Sequence, residues 1–176
     1  MPGHDLLAFT DQLGLATSAA PAAPADRELH LVLFRLGREE YGVPITLVRE
    51  IVRVQDVTRV PHAPAQIRGV MNLRGRILPV VEIRGRLGLE PAVLTQESRV
   101  VVVEVQKRTL GLLVDAVAQV TRISERLIVS PPEEVRSAGA EAVTGVARLG
   151  DRLLILLDLA RLLGADGIDS SSPTAP

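Results

Sequence analysis

Apolar residues in this chain fall into short runs separated by turn residues, not into the three-and-four spacing of amphipathic helices. Residues 29–36, LHLVLFRL, are followed by the polar GREE and then by 41–45, YGVPI, which predicts a hairpin. Residues 100–106, VVVVEVQ, lead through KRT into 110–117, LGLLVDAV, which predicts another. GVMNL and ILPVVEI flank Arg74-Gly75-Arg76; GVAR and RLLILLDL flank Leu149-Gly150-Asp151. β-Branched residues dominate these runs, as strands favour. Several runs are almost continuously apolar, which predicts strands covered on both faces or wrapped into a small barrel. Residues 157–164, LDLARLLG, predict a short closing helix that stops at Gly164.

The chain states this pattern twice. Shifted by 76 positions, Gly69, Val70, Leu73, Arg76 and Leu78 fall on Gly145, Val146, Leu149, Arg152 and Leu154 as identities. Shifted by 69, Tyr41, Gly42, Val43 and Ile45 fall on Leu110, Gly111, Leu112 and Val114, and Val48, Ile51 and Val54 on Val117, Val120 and Ile123. Each half therefore runs hairpin, third strand, proline-containing loop, hairpin. The loop is VPHAP (60–64) in the first half and SPPEEV (130–135) in the second. Five short strands with tight turns suit a small barrel, because closure removes exposed edges. The halves are placed at roughly 28–90 and 98–164, with some strand exchange. Residues 1–27 are an N-terminal extension and Ala/Pro linker, in which 4–15 predict a short helix or a docking peptide. Residues 165–176 are expected to be a disordered tail.

Composition narrows the chemistry. The chain has 176 residues, no cysteine and a net charge of −1. Disulfides, thiol catalysis and thiolate metal sites are excluded, and a cytoplasmic setting is compatible. Phe9, Phe34 and Tyr41 are the only aromatics, although apolar residues reach 47%. A nucleic-acid-binding barrel needs a basic face and stacking rings, so that alternative is disfavoured. No apolar run reaches the length of a membrane span, so direct membrane insertion is not expected. His4, His30 and His62 are scattered without metal-ligand spacing, and no G-x-S-x-G elbow or phosphate-binding loop occurs. No catalytic residue, metal or cofactor is therefore assigned. Glu39–Glu40 and Glu133–Glu134 read as solvated loop charges, since neighbours in extended chain point opposite ways. Arg74, Arg76 and Arg84 read as solvated turn residues, or, for Arg74, as a binding residue.

Taken in order, FRLGREEYGVPITLVREIV, VTRVPHAPAQIRGVMNLRGRILPVVEIRGRLGL, RVVVVEV, LGLLVDAVAQV and VTGVARLGDRLLILLDLARLL resemble the CheW family of chemotaxis coupling proteins. The resemblance runs from about Leu31 to Leu163. It implies a mostly β fold of two intertwined five-stranded SH3-like barrels with a short C-terminal helix. It implies a non-catalytic adaptor between the cytoplasmic tip of a chemoreceptor and the regulatory domain of a CheA-type histidine kinase. Such a protein would be cytoplasmic, at receptor arrays on the inner membrane. Its output could be flagellar, or pili or gliding in a non-flagellar system.

The family's N-L-R-G motif matches Asn72-Leu73-Arg74-Gly75, and its arginine is associated with partner binding. Glu50, in VREI, is another motif position, and an ion pair between Glu50 and Arg74 is expected. Receptor binding is assigned to Ile45, Val48, Glu50, Asn72 and Arg74, with a groove at the seam between barrels taking a helix; Ile45 and Val48 read as core or interface, and their echoes Val114 and Val117 favour core for at least one. Kinase binding is assigned to Arg76, Pro79 and Val80. Gly69, Gly75 and Gly145 are assigned to backbone turns. Pro79 interrupts its strand, which predicts an edge or a bulge there.

Overall fold

The computed structural model describes residues 27–133 and 140–164. The expected N-terminal helix, the linker up to residue 26, the end of SPPEEV and the tail lie outside these residues. Among the described residues there are eleven strands: β1 (Glu28–Leu36), β2 (Glu39–Pro44), β3 (Val48–Arg53), β4 (Ile67–Leu73), β5 (Arg76–Val81), β6 (Arg99–Val105), β7 (Arg108–Val114), β8 (Ala116–Ser124), β9 (Ile128–Val129), β10 (Val143–Leu149) and β11 (Arg152–Leu157). One α-helix among the described residues, α1 (Leu159–Gly164), follows. Asp158 caps it: its carboxylate accepts the Arg161 amide at 3.1 Å, and its carbonyl accepts that of Leu162 at 2.9 Å.

The strands form two SH3-like barrels. In one sheet the order is β3-β6-β7-β5-β4; in the other it is β8-β1-β2-β11-β10-β9. Each sheet thus takes a hairpin from the other half of the sequence. β6–β7 completes the first barrel (β3–β7), and β1–β2 completes the second (β8–β11 with β1 and β2). The internal repeat appears in the ladders. Val80 pairs in parallel with Gly111, and its twin Leu156 pairs in parallel with Gly42. Val129 pairs with Val146 in β9–β10, and the isolated bridge Thr58–Val70 is its counterpart in the first barrel.

This exchange explains the continuous apolar runs. Along β1, Leu31 and Leu33 face the second barrel's interior, whereas Val32, Phe34 and Leu36 face a core shared by both barrels. Along β6, Val100 and Val102 line the first barrel's interior, and Val101, Val103 and Val105 face the shared core. A strand buried on both faces has no polar alternation to show. The shared core is the largest cluster, and α1 seals it with Leu159, Leu162 and Leu163. Separating the barrels would expose this surface to water, so burial holds them together.

Gly69 and Gly145 sit beside the β-bulges of β4 and β10. A Cβ on Gly69 would lie 2.3 Å from the Thr58 carbonyl oxygen, and one on Gly145 would lie 2.5 Å from the Ile128 side chain. Both positions need glycine for the close passage of the returning chain.

Three expectations require correction. Pro79 is not on an edge, because β5 lies between β7 and β4. The two-residue turn closes on the Leu73–Arg76 pair, and alternation makes Val70–Pro79 a non-hydrogen-bonded pair, so the missing N–H faces β7. Pairing with β7 begins one residue later, at Val80. Arg84 is not a solvated turn residue but is 8% exposed; its guanidinium donates to Asp115 and, at 2.9 Å, to the Glu90 carbonyl. Asp115 also accepts the Gly37 amide at 2.7 Å, so this cluster ties the exit of β5 to the β1–β2 turn of the other barrel. Glu40 is not a loop charge either: it is buried on β2, where Arg152 donates to it at 2.6 Å.

Candidate functional site

The expected site residues gather at one end of the first barrel and along the adjoining seam. Pro44 ends β2, and the chain turns through a 3-10 segment, Ile45–Leu47, before starting β3 at Val48. Ile45 therefore lies in this turn rather than in a strand. Ile45, Leu47 and Val48 are half-buried and pack on the shared core, which puts this segment at the junction of the two barrels. From Val48 the side chains of β3 alternate, and Glu50 is half-buried.

The β4–β5 hairpin closes in two residues, Arg74 and Gly75, with φ of 52° and 83°. Positive φ at both positions is the signature of the primed turn that matches strand twist. Gly75 adopts it without steric cost, whereas Arg74 does not. The Asn72 Oδ1 accepts the Gly75 amide at 2.9 Å, so Asn72 holds the turn. Arg74 reaches Glu50 with both terminal nitrogens, at 2.8 and 3.1 Å. The expected pair therefore forms, in bidentate geometry. Arg74 remains 75% exposed at its side chain, so solvent screens the pair and its contribution to stability is about 0–1 kcal/mol. On the same β3 segment, Arg49 donates to Glu104 of β6 at 2.8 Å.

The second barrel has none of this. Gln119 and Gly150 occupy the twin positions of Glu50 and Arg74. The barrel can thus be built without the pair.

Of the residues assigned to the kinase, Arg76 is exposed and Pro79 is half-buried. Val80 is corrected: it is 0% exposed, inside the first barrel with Met71, Leu78 and Val100, and presents no side chain to a partner. Alternation along β5 turns Leu78 and Val80 inward and Ile77 and Pro79 outward, while Arg76 is exposed because it stands at the strand's end. The turn Gln106–Lys107 between β6 and β7 was not singled out from the sequence. Its signal was faint, a polar KRT between two apolar runs with no glycine to mark it. Among the described residues, no group of His, Asp and Glu side chains is arranged to hold a metal ion, and no helix is long and apolar enough to cross a membrane.

A fold of two fused small barrels whose distinguishing side chains lie on an outer rim and seam defines a scaffold-type binding protein. Comparison with known proteins agrees. The CheW-like domain matches residues 30–166. The chain is 38% identical to the chemotaxis protein CheW of Treponema pallidum (strain Nichols), over 82% of this chain and 88% of that one. It is 35% identical to the chemotaxis protein CheW of Klebsiella aerogenes, over 87% and 92% of the two chains. The crystal structure of scaffolding protein TtCheW from Thermoanaerobacter tengcongensis superposes with a TM-score of 0.71 at 35% identity, covering 80% of this chain and 96% of that one. The chain belongs to the CheW family of chemotaxis scaffold proteins.

Proposed function

We propose that this chain is a non-catalytic adaptor that holds the cytoplasmic tip of a chemoreceptor and the regulatory domain of a CheA-type histidine kinase together, in the cytoplasm at receptor arrays. The observation that carries this reading is the asymmetry between two otherwise duplicated barrels. The first barrel alone carries the Glu50–Arg74 pair, beside the half-buried Ile45–Val48 seam. Ile45 and Val48 supply the apolar surface for a receptor helix, and Arg74, held by Glu50 on a turn fixed by Asn72, supplies a charged anchor at its end. The kinase contact falls to Arg76 and Pro79 on the adjacent strand. Gly75 lies between Arg74 and Arg76, so the two partner surfaces adjoin at this turn.

Titration of a receptor-tip fragment and of a kinase regulatory domain into wild type and Arg74→Glu tests this. The receptor fragment is expected to lose roughly tenfold or more in affinity, because the substitution replaces attraction with repulsion at a rim and leaves Glu50 facing a second carboxylate. The urea midpoint is expected to move by no more than about 1 kcal/mol of stability. A protein that unfolds on this substitution, or one whose receptor affinity is unchanged, would remove the proposed role.

A further inference from the structure

We propose that residues 4–15 of this chain dock on the outer face of its own second barrel, where Leu127, Val129, Val146, Leu153 and Ile155 form an apolar stripe. The inference goes beyond the adaptor reading and does not rest on it. Strand register sets the stripe. Val129 of β9 pairs with Val146 of β10, and Val146 pairs with Ile155 of β11. Their neighbours Ile128, Ala147 and Leu154 pack in the barrel interior, so alternation turns the stripe outward. Two residues further along, Arg148 and Leu153 pair on the same face. Leu127 stands in the 3-10 turn that leads into β9. Leu127, Val129 and Leu153 are 54%, 61% and 62% exposed. Exposed apolar side chains gathered on one face mark an interaction surface. The first barrel does not repeat this feature. Thr58, bridged to Val70, is the twin of Val129, and at the same offset Asp56 is the twin of Leu127. The fold therefore accepts polar residues at both positions, and the second barrel alone makes them apolar.

The chain itself supplies the occupant. The Arg27 carbonyl accepts the Glu125 amide at 2.9 Å, and Glu125 stands two residues before Leu127 and four before Val129. Residues 1–26 are therefore attached beside the stripe. Residues 16–26 give a tether of eleven residues, which spans at most about 40 Å. The stripe is about 10 Å wide across β9, β10 and β11, so the tether reaches all of it. Residues 4–15 bring Leu6, Leu7, Phe9, Leu13 and Leu15. Charge agrees with this occupant. Residues 1–26 contain Asp5, Asp11 and Asp26 and no lysine or arginine. Arg148, on the face of the stripe, is exposed and makes no ion pair among the described residues; its Nε donates to the Gly150 carbonyl. A second copy seated face to face on the same stripe would instead bring Arg148 against Arg148. A short tether also holds the segment at a local concentration in the mM range, so contacts too weak for a separate peptide suffice. Any partner for this face then competes with the segment.

The test uses the full chain with a nitroxide on Thr10→Cys, a unique label because the sequence has no cysteine of its own. At a mM local concentration docking is expected to be about half complete or more, so the amide signals of Val129, Val146 and Leu153 should lose about half of their height or more. Asn72 and Arg74 on the first barrel should keep theirs. Phe9→Asp leaves both barrels untouched and is expected to weaken docking at least about tenfold, which restores the signals. Leu127→Asp with Val129→Thr, which copies the first barrel's twin positions, should restore them from the other side of the contact; if that variant does not fold, Phe9→Asp decides alone. No loss at the stripe, or an equal loss on both barrels, would overturn the inference. A loss that survives these substitutions would overturn it too, since the tether alone would then account for the proximity. So would a loss seen in an isotope-labelled chain mixed with a separate nitroxide-labelled one, because the occupant would then be a second copy. Neither kinase nor receptor enters the assay, so the adaptor reading stands or falls separately.

Discussion

Duplication makes a controlled packing experiment available at Gly111 and its twin Gly42, each at the parallel crossing of its barrel. A Cβ added at Gly111 would lie 2.4 Å from Val100 Cγ1 and 3.2 Å from Leu78 Cδ2. Val100 is 0% exposed and β-branched, so its methyl has no alternative rotamer to escape into. Overpacking of this kind costs about 1–3 kcal/mol. The loss of glycine's freedom in the unfolded chain returns about 0.4–1 kcal/mol. Gly111→Ala should therefore destabilise by about 1–2 kcal/mol. At Gly42 the nearest atoms are terminal methyls of Leu33, Leu156 and Leu154, at 3.2, 3.3 and 3.4 Å. A shift of a few tenths of an ångström accommodates them, so Gly42→Ala should fall within about 0.5 kcal/mol of wild type. Urea unfolding reads both through the midpoint at constant slope. Equal losses at the two sites, or a larger loss at Gly42, would show that the first barrel is not the tighter at this crossing.

Other perturbations have equally definite outcomes. Asp115→Ala removes the partner of the buried Arg84 guanidinium and the acceptor of the Gly37 amide, and should cost about 3 kcal/mol; a loss below about 0.5 kcal/mol would show that Arg84 finds solvent instead. Tyr41, the chain's single tyrosine, is 4% exposed. Burial raises its hydroxyl well above the ordinary value, with the Glu39 carboxylate adding to the shift and Arg84 opposing it. Its contribution to stability is therefore complete below the unfolded-chain value of about 10 and is lost as pH rises from there toward the folded value. Tyrosinate absorbance in an alkaline titration should rise only together with unfolding; a rise near pH 10 with the fold intact would contradict the burial. A double-mutant cycle on Glu50→Gln and Arg74→Gln should give a coupling of at most about 1 kcal/mol in stability. A larger value would make the pair structural.

Much of the architecture was legible because its cause is local and repeated. Paired apolar runs with a two-residue polar break dictate hairpins, and their recurrence at fixed offsets dictates two barrels. Most of the misreadings depend on which strand lies beside which, and one on which face of its strand a residue takes. Pro79 looked like an edge residue because the sequence does not state that β7 meets β5 only from Val80 onward. Val80 looked like a contact because the run ILPVVEI shows no polar alternation to mark its inward face, although alternation turns Val80 into the barrel. Arg84 and Glu40 looked solvated because their partners, Asp115 and Arg152, are distant in sequence and reach them only through hairpin exchange. Glu50 and Arg74 were paired correctly through the family's motif. Gln106 and Lys107 passed unnoticed, since a left-handed turn without glycine leaves no compositional trace.

An adaptor must hold its two partners at the same time. Mixing the full chain with a receptor-tip fragment and a kinase regulatory domain, then resolving the mixture by sedimentation velocity, measures this directly. A ternary species that contains all three, and that disappears when the adaptor is omitted, is the expected result. Two binary complexes that displace one another would contradict it, because the seam and the rim of the first barrel would then be one shared surface rather than two adjoining ones.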